Sequence, residues 1–69
     1  MNSKLIGKIA TITNKDSHIY GEYGMITHFD GEYYHIAPWC TTMETALKES
    51  NLIFKRNEFK IKGTRKVKL

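Results

Sequence analysis

The sequence lacks most of the devices that usually stabilise a very small domain. Its 69 residues contain one cysteine, Cys40, so no internal disulfide can form. A solitary cysteine suits a reducing, intracellular setting. His18, His28, His35 and Cys40 show no Cys-x-x-Cys or His-x-x-x-His spacing. Zinc takes four converging ligands, commonly in paired short spacings, so neither a metal nor another cofactor is expected. Met1 to Tyr20 holds no apolar run of signal-peptide or membrane-span length, and the expectation is a cytoplasmic protein with no membrane partner. A chain this short makes one domain, with a core near the lower limit of self-sufficiency.

Acidic residues are scarce in one region only. The formal charge is +4, but residues 1–54 carry four basic and six acidic side chains, whereas residues 55–69 carry seven basic ones and only Glu58. A mildly acidic body therefore ends in a strongly basic segment. That asymmetry fits contact with a polyanion, and it also fits a solvated tail. The expected division is one domain over residues 1–63 and a basic tail over 64–69.

What is abundant is β pattern. From Leu5 the chain alternates, with Ala10 and Ile12 on one face and Ile9, Thr11 and Thr13 on the other. Asn14 to Ser17 is a cluster of turn formers that stops this strand. Gly21 and Gly24 precede a second strand over Met25–Phe29; glycine there permits positive φ or lets another backbone approach closely. Asp30-Gly31 signals a hairpin into a third strand, Glu32–Ala37, ended by Pro38. A two-residue type I′ turn at Asp30-Gly31 would put Met25 and Thr27 on the face of Tyr34 and Ile36. A three-residue turn with Gly31 in a bulge, preferred because it joins the two isoleucines, would group Ile26, His28, Tyr34 and Ile36 on the core face. Met25, Thr27, Tyr33 and His35 would then face outward, and His28 and His35 would lie on opposite faces.

Thr41 to Ser50 carries the one helical signal. Thr41 with Glu44 fits a capping box, Met43, Ala46 and Leu47 form an apolar stripe, and Glu44 pairs with Lys48 at i,i+4. Two turns need docking on a sheet to persist. Leu52–Phe54 reads as a fourth strand, Lys55–Glu58 as a turn, and Phe59–Lys62 as a fifth strand. The predicted class is mainly β: a small SH3-like five-stranded barrel with one short helix before the fourth strand.

Gly7-Lys8-Ile9-Ala10-Thr11-Ile12, followed by Tyr20-Gly21-Glu22-Tyr23-Gly24-Met25-Ile26, resembles the KOW motif of ribosomal and transcription-elongation proteins. A glycine precedes two alternating apolar residues, a polar loop follows, and two glycines three apart lead to another apolar residue. The apolar positions of the motif would be Ala10, Ile12 and Ile26. The resemblance covers about half the chain and implies an SH3-like barrel that contacts nucleic acid. The loop Asn14-Lys15-Asp16-Ser17 lacks the family's usual glycine, and the helix is extra. The overall look resembles a small accessory protein of a phage or mobile element.

Two partner classes follow from the side chains. Lys55, Arg56, Lys60, Lys62, Arg65, Lys66 and Lys68 supply phosphate contacts, which give affinity without sequence information. Tyr23, Tyr33 and Trp39, with Tyr20, lie in or near loops where rings stack on unpaired bases. Tyr34, Phe54 and Phe59 are expected in the core. The alternative is a protein-binding inhibitor or adaptor acting on a host protein. Asp16, Glu22, Asp30 and Glu32 fall in loops near those rings, where they repel phosphate and suit a basic protein surface. Catalysis is not expected. Cys40 has no neighbouring base and orienting group, Asp30 and Glu32 are explained by the turn, and Gly21-x-x-Gly24 lacks the lysine of a phosphate loop. No small-molecule substrate is evident.

Overall fold

The computed structural model describes residues 4–61. Five antiparallel strands form one sheet: β1 (Ile9–Ile12), β2 (Tyr23–Phe29), β3 (Tyr34–Pro38), β4 (Leu52–Phe54) and β5 (Phe59–Ile61). The order across the sheet is β4-β3-β2-β1-β5. A short helix, α1 (Met43–Lys48), precedes β4, and a 3-10 turn over Arg56–Glu58 joins β4 to β5. The mainly β class and the element order agree with the sequence pattern. No helix among the described residues is long and apolar enough to cross a membrane.

The register shows why the sheet curls. β5 pairs with the end of β1 that lies opposite Tyr23, Phe59 against Ile12 and Ile61 against Ala10. β4 pairs instead with the hairpin end of β3, Leu52 against Ile36 and Phe54 against Tyr34. The two edge strands are thus staggered along the sheet, and strand stagger is what lets a twisted sheet coil on itself. Phe54 and Phe59, from diagonally opposite corners, meet in one core cluster with Ala10, Ile12, Ile19, Ile26 and Ile36. Tyr34 stacks on Phe29 with ring centroids 4.3 Å apart and meets Phe59 edge-on at 5.3 Å. Ala10, Ile12 and Ile26, the apolar positions of the KOW-like stretch, all lie in this cluster.

Two glycines serve the two purposes expected of them. Gly21 has φ +88 where the chain turns into β2. Gly24 sits against β3 so closely that a Cβ would stand 2.6 Å from the Ala37 carbonyl oxygen and 2.7 Å from Ile36 Cγ2.

The hairpin differs from expectation. The bulge falls at Thr27, not at Gly31: Ile26 faces Ile36, and the next pair is His28 with His35. Asp30 organises the turn instead. Its Oδ1 accepts the backbone N–H of Tyr33 at 2.8 Å and of Glu32 at 3.0 Å, and its own N–H donates to the Tyr33 carbonyl. An Asx-type turn satisfies those donors without a bulge at the glycine. Ile26 and Ile36 share the core face as predicted. His28, however, joins His35 on the outer face, with ring centroids 5.7 Å apart, so the two are not on opposite faces. Met25 does lie on the outer face but is buried there beneath α1, and Thr27, at the bulge, is buried as well. Thr27 is accommodated because its Oγ1 donates to Asn51 Oδ1 at 2.7 Å, satisfying a buried hydroxyl.

Helix α1 is capped one residue later than predicted. Thr42, not Thr41, is the N-cap, and its Oγ1 accepts the Thr45 N–H at 3.3 Å. Ala46 and Met43 face the sheet, whereas Leu47 is exposed, so the apolar stripe is narrower than read. The helix covers Met25 and Ala37 together with Cys40, and Ile9 packs at the margin of this second cluster.

Candidate functional site

Strand alternation divides the outer face of the sheet into three stripes. The central one, Ile9, Met25 and Ala37, lies across three strands and is covered by α1. On one side His28, His35 and Ile53 form a second stripe. On the other, Lys60, Thr11 and Tyr23 stand in register across β5, β1 and β2. Two strand spacings separate Lys60 from Tyr23, about 10 Å. Lys60 and Tyr23 are exposed and Thr11 is half-exposed.

Trp39 closes this third stripe. Its backbone N–H donates to the Tyr23 carbonyl at 2.8 Å, which sets the end of β3 beside the start of β2. Its φ is +63, and no other described non-glycine residue has a positive φ. The left-handed region costs an L-residue about 1–2 kcal/mol and recurs at functional positions. Here it turns the chain out of β3 and leaves the indole 57% exposed. The indole N–H donates to Glu22 Oε1 at 3.0 Å, fixing the ring at the sheet's end.

Beside Trp39 a groove opens along β4. Its first part, about 230 Å³, is lined by His18, Ile19, Pro38, Trp39, Glu49 and Leu52, with Ser50 at the rim. Its continuation, about 310 Å³, runs between the Asn14–His18 loop and Leu52, Ile53 and Phe54, and ends at Glu58. That loop is held by Asn14, whose carbonyl accepts the Ser17 N–H and whose amide donates to Glu58 Oε2 at 2.8 Å. The other Glu58 oxygen accepts the Lys55 N–H at 2.7 Å.

The structure brings together only part of the residue set expected from sequence. Tyr23 and Lys60 share one stripe; Trp39 is joined to Tyr23 through its backbone N–H and also borders the groove along β4. Arg56 opens the 3-10 turn before β5 and Lys55 is the residue that caps it, both exposed. Arg56 also has a local role: its guanidinium sits 5.1 Å from the Phe59 ring centroid and donates to the Phe59 carbonyl. Tyr33 is half-buried at the β2–β3 turn, the length of β2 away from Tyr23, and does not belong to the stripe. Lys62, Arg65, Lys66 and Lys68 lie outside the described residues, as does the expected boundary at Gly63. Thr11 carries no sequence signal for this surface, because only the register places it there, whereas Glu22 lies in the loop beside the rings and accepts the Trp39 indole N–H. Among the described residues no group of three or more His, Cys, Asp or Glu side chains is arranged to hold a metal ion. Asp30 is the one described carboxyl with a clear pKa displacement. The Tyr33 N–H, then the Glu32 N–H, hold it below the usual value of 3.8, with a smaller contribution from His35.

No family model matches the chain, and no curated protein or solved structure matches it. The KOW resemblance is therefore carried by the Gly7–Ile26 residues alone.

Proposed function

We propose that the protein is a non-enzymatic module that binds single-stranded nucleic acid on the Lys60–Thr11–Tyr23 stripe, with Trp39 at its end. One observation carries the reading. Lys60, in register through Thr11 with the exposed ring of Tyr23, lies on the strand that precedes the basic end in sequence. Residues 4–61 hold seven basic and seven acidic side chains, so the excess positive charge falls on Lys62, Arg65, Lys66 and Lys68. Phosphate contacts by that segment would supply affinity, and Tyr23 and Trp39 would supply stacking surfaces for unpaired bases. Bases in a duplex are already stacked, so an open sheet face with two rings favours a single strand. The KOW-like stretch, which builds β1 and β2 of this stripe, supports the same reading.

The test is fluorescence anisotropy with a labelled oligothymidine over a salt series. Single-strand binding weakens with a log–log slope of about −0.7 per phosphate neutralised. Replacing Lys62, Arg65, Lys66 and Lys68 together with glutamine should flatten the slope by up to about 3. Unchanged affinity and slope would remove the basic end from the contact surface. Tighter binding to a duplex of equal length would contradict the stacking role.

A further inference from the structure

The groove along β4 has a different chemistry from the stripe, and it is reached from a different side of the sheet. β4 is an edge strand: among the described residues it pairs with β3 alone. In an antiparallel pair the backbone N–H and C=O groups alternate in direction, so an edge strand turns part of its hydrogen-bonding capacity outward. That outward edge borders the groove. Half-buried Leu52 offers apolar surface within it, Phe54 forms its floor while staying buried in the core, and Ile53 is 55% exposed at its margin. The opposite wall is the Asn14–His18 loop, braced by Glu58.

Charge identifies the occupant. Glu49 lies at one end of the groove and Glu58 at the other, and neither lysine nor arginine lines either part. The Glu49 carboxylate makes no hydrogen bond or ion pair with a described residue; only its backbone is used, the N–H donating to the Ala46 carbonyl and the carbonyl accepting from the Asn51 side chain. Glu58 spends both carboxylate oxygens on N–H donors. A nucleic-acid strand would meet two carboxylates there and neither lysine nor arginine among the lining residues, Lys15 and Lys55 being exposed outside the lining. An extended protein segment with alternating apolar and basic side chains would satisfy all the features together. Its backbone would pair with the open edge, its apolar side chains would cover Leu52 and Phe54, and its basic ones would reach Glu49 and Glu58.

We infer that the β4 groove is a docking site for a basic, extended segment of a partner protein, bound by strand addition. The inference does not depend on the nucleic-acid reading, because it uses the opposite sheet edge and the opposite charge.

The probe is a capped eight-residue peptide of alternating lysine and valine, with alternating glutamate and valine as its counterpart. Each is titrated into the full-length protein while the fluorescence of Trp39, the single tryptophan, and the backbone amide resonances are followed. The lysine peptide should produce a saturable change in Trp39 emission. It should also slow amide exchange at Leu52, Ile53 or Phe54, and the glutamate peptide should do neither. Glu49→Lys reverses an exposed charge without touching the core and should weaken the lysine peptide about three- to tenfold. Lys60→Gln, on the other stripe, should leave it unchanged. Equal response to both peptides, lysine-peptide shifts centred on Thr11 and Tyr23, or indifference to Glu49→Lys would each overturn the assignment. So would oligothymidine displacing the lysine peptide from β4.

Discussion

Replacing Trp39 by alanine and by glycine separates the ring from the backbone beneath it. Both changes remove an indole that is a little under half hidden, about 100 Å² of surface, worth at most about 2.5 kcal/mol at 25 cal/mol per Å². Neither variant can keep the exposed hydrogen bond to Glu22, which contributes about 1 kcal/mol or less. Those losses are common to the pair. The difference lies in the φ of +63. Alanine must hold the left-handed region at a cost of about 1–2 kcal/mol, while glycine holds it freely but gives back about 0.5–1 kcal/mol through its looser unfolded chain. Glycine should therefore be the more stable variant by about 0.5–1 kcal/mol, although it is the poorer β former. In a domain of this size that is about 2–8 °C in melting temperature, readable by far-ultraviolet circular dichroism. Both variants should fold cooperatively and lose oligothymidine affinity to the same extent. Alanine equal to or more stable than glycine would refute the left-handed backbone. Loss of cooperative folding in both would assign the ring to the core rather than to a binding surface.

Three other substitutions test the frame that presents the stripe. Gly24→Ala forces a Cβ into the Ala37 carbonyl and should cost about 3 kcal/mol or more, whereas Gly21→Ala, with open space but positive φ, should cost about 1–2 kcal/mol; chemical denaturation compares them. Thr27→Val keeps the shape of the bulge but leaves Asn51 Oδ1 without its donor, and should destabilise by about 1–3 kcal/mol in the same assay. Asp30 has its pKa lowered in the folded state, so its contribution is fully present above the ordinary value near 3.8 and is lost as pH falls through the lowered one. The turn amides of Glu32 and Tyr33 should accordingly lose protection, relative to their intrinsic exchange rates, as Asp30 is protonated in acid, and Asp30→Asn should remove that dependence; unaltered protection would contradict the Asx turn.

Much of the fold was legible because short-range chemistry and alternation agree. Ala10 and Ile12 alternate into the core, Leu52–Phe54 forms β4 as read, and Phe59 opens β5 after a polar turn. Gly21 and Gly24 were recognisable as special, although their two separate reasons, a positive φ and a close backbone, appear only with β3 in place. The hairpin was misread because Asp30 and Gly31 both suit a tight turn. The Asp30 carboxylate captured two backbone donors, and the irregularity moved upstream to Thr27, where Asn51, 24 residues later in the chain, accepts the hydroxyl. That one-residue displacement carried His28 to the outer face, whereas Met25 keeps its outer-face position and is buried because α1 covers it. A strand's side chains change faces with each residue of register, so no local pattern settles the matter. The candidate site was legible by residue type and not by grouping. Tyr23, Tyr33 and Trp39 look alike in sequence, yet β2 separates Tyr33 from the others, and the pairing of Thr11 with both Tyr23 and Lys60 depends on two long-range ladders.

The most direct measurement is a map of backbone amide shifts in the full-length protein as oligothymidine is added at physiological salt. The account predicts shifts concentrated at Thr11, Tyr23, Trp39 and Lys60, growing together along one binding curve and shrinking when Lys60 is replaced by glutamine. Shifts confined to the β4 groove, or none at an oligonucleotide concentration that saturates anisotropy, would contradict the assignment of this stripe as the nucleic-acid surface.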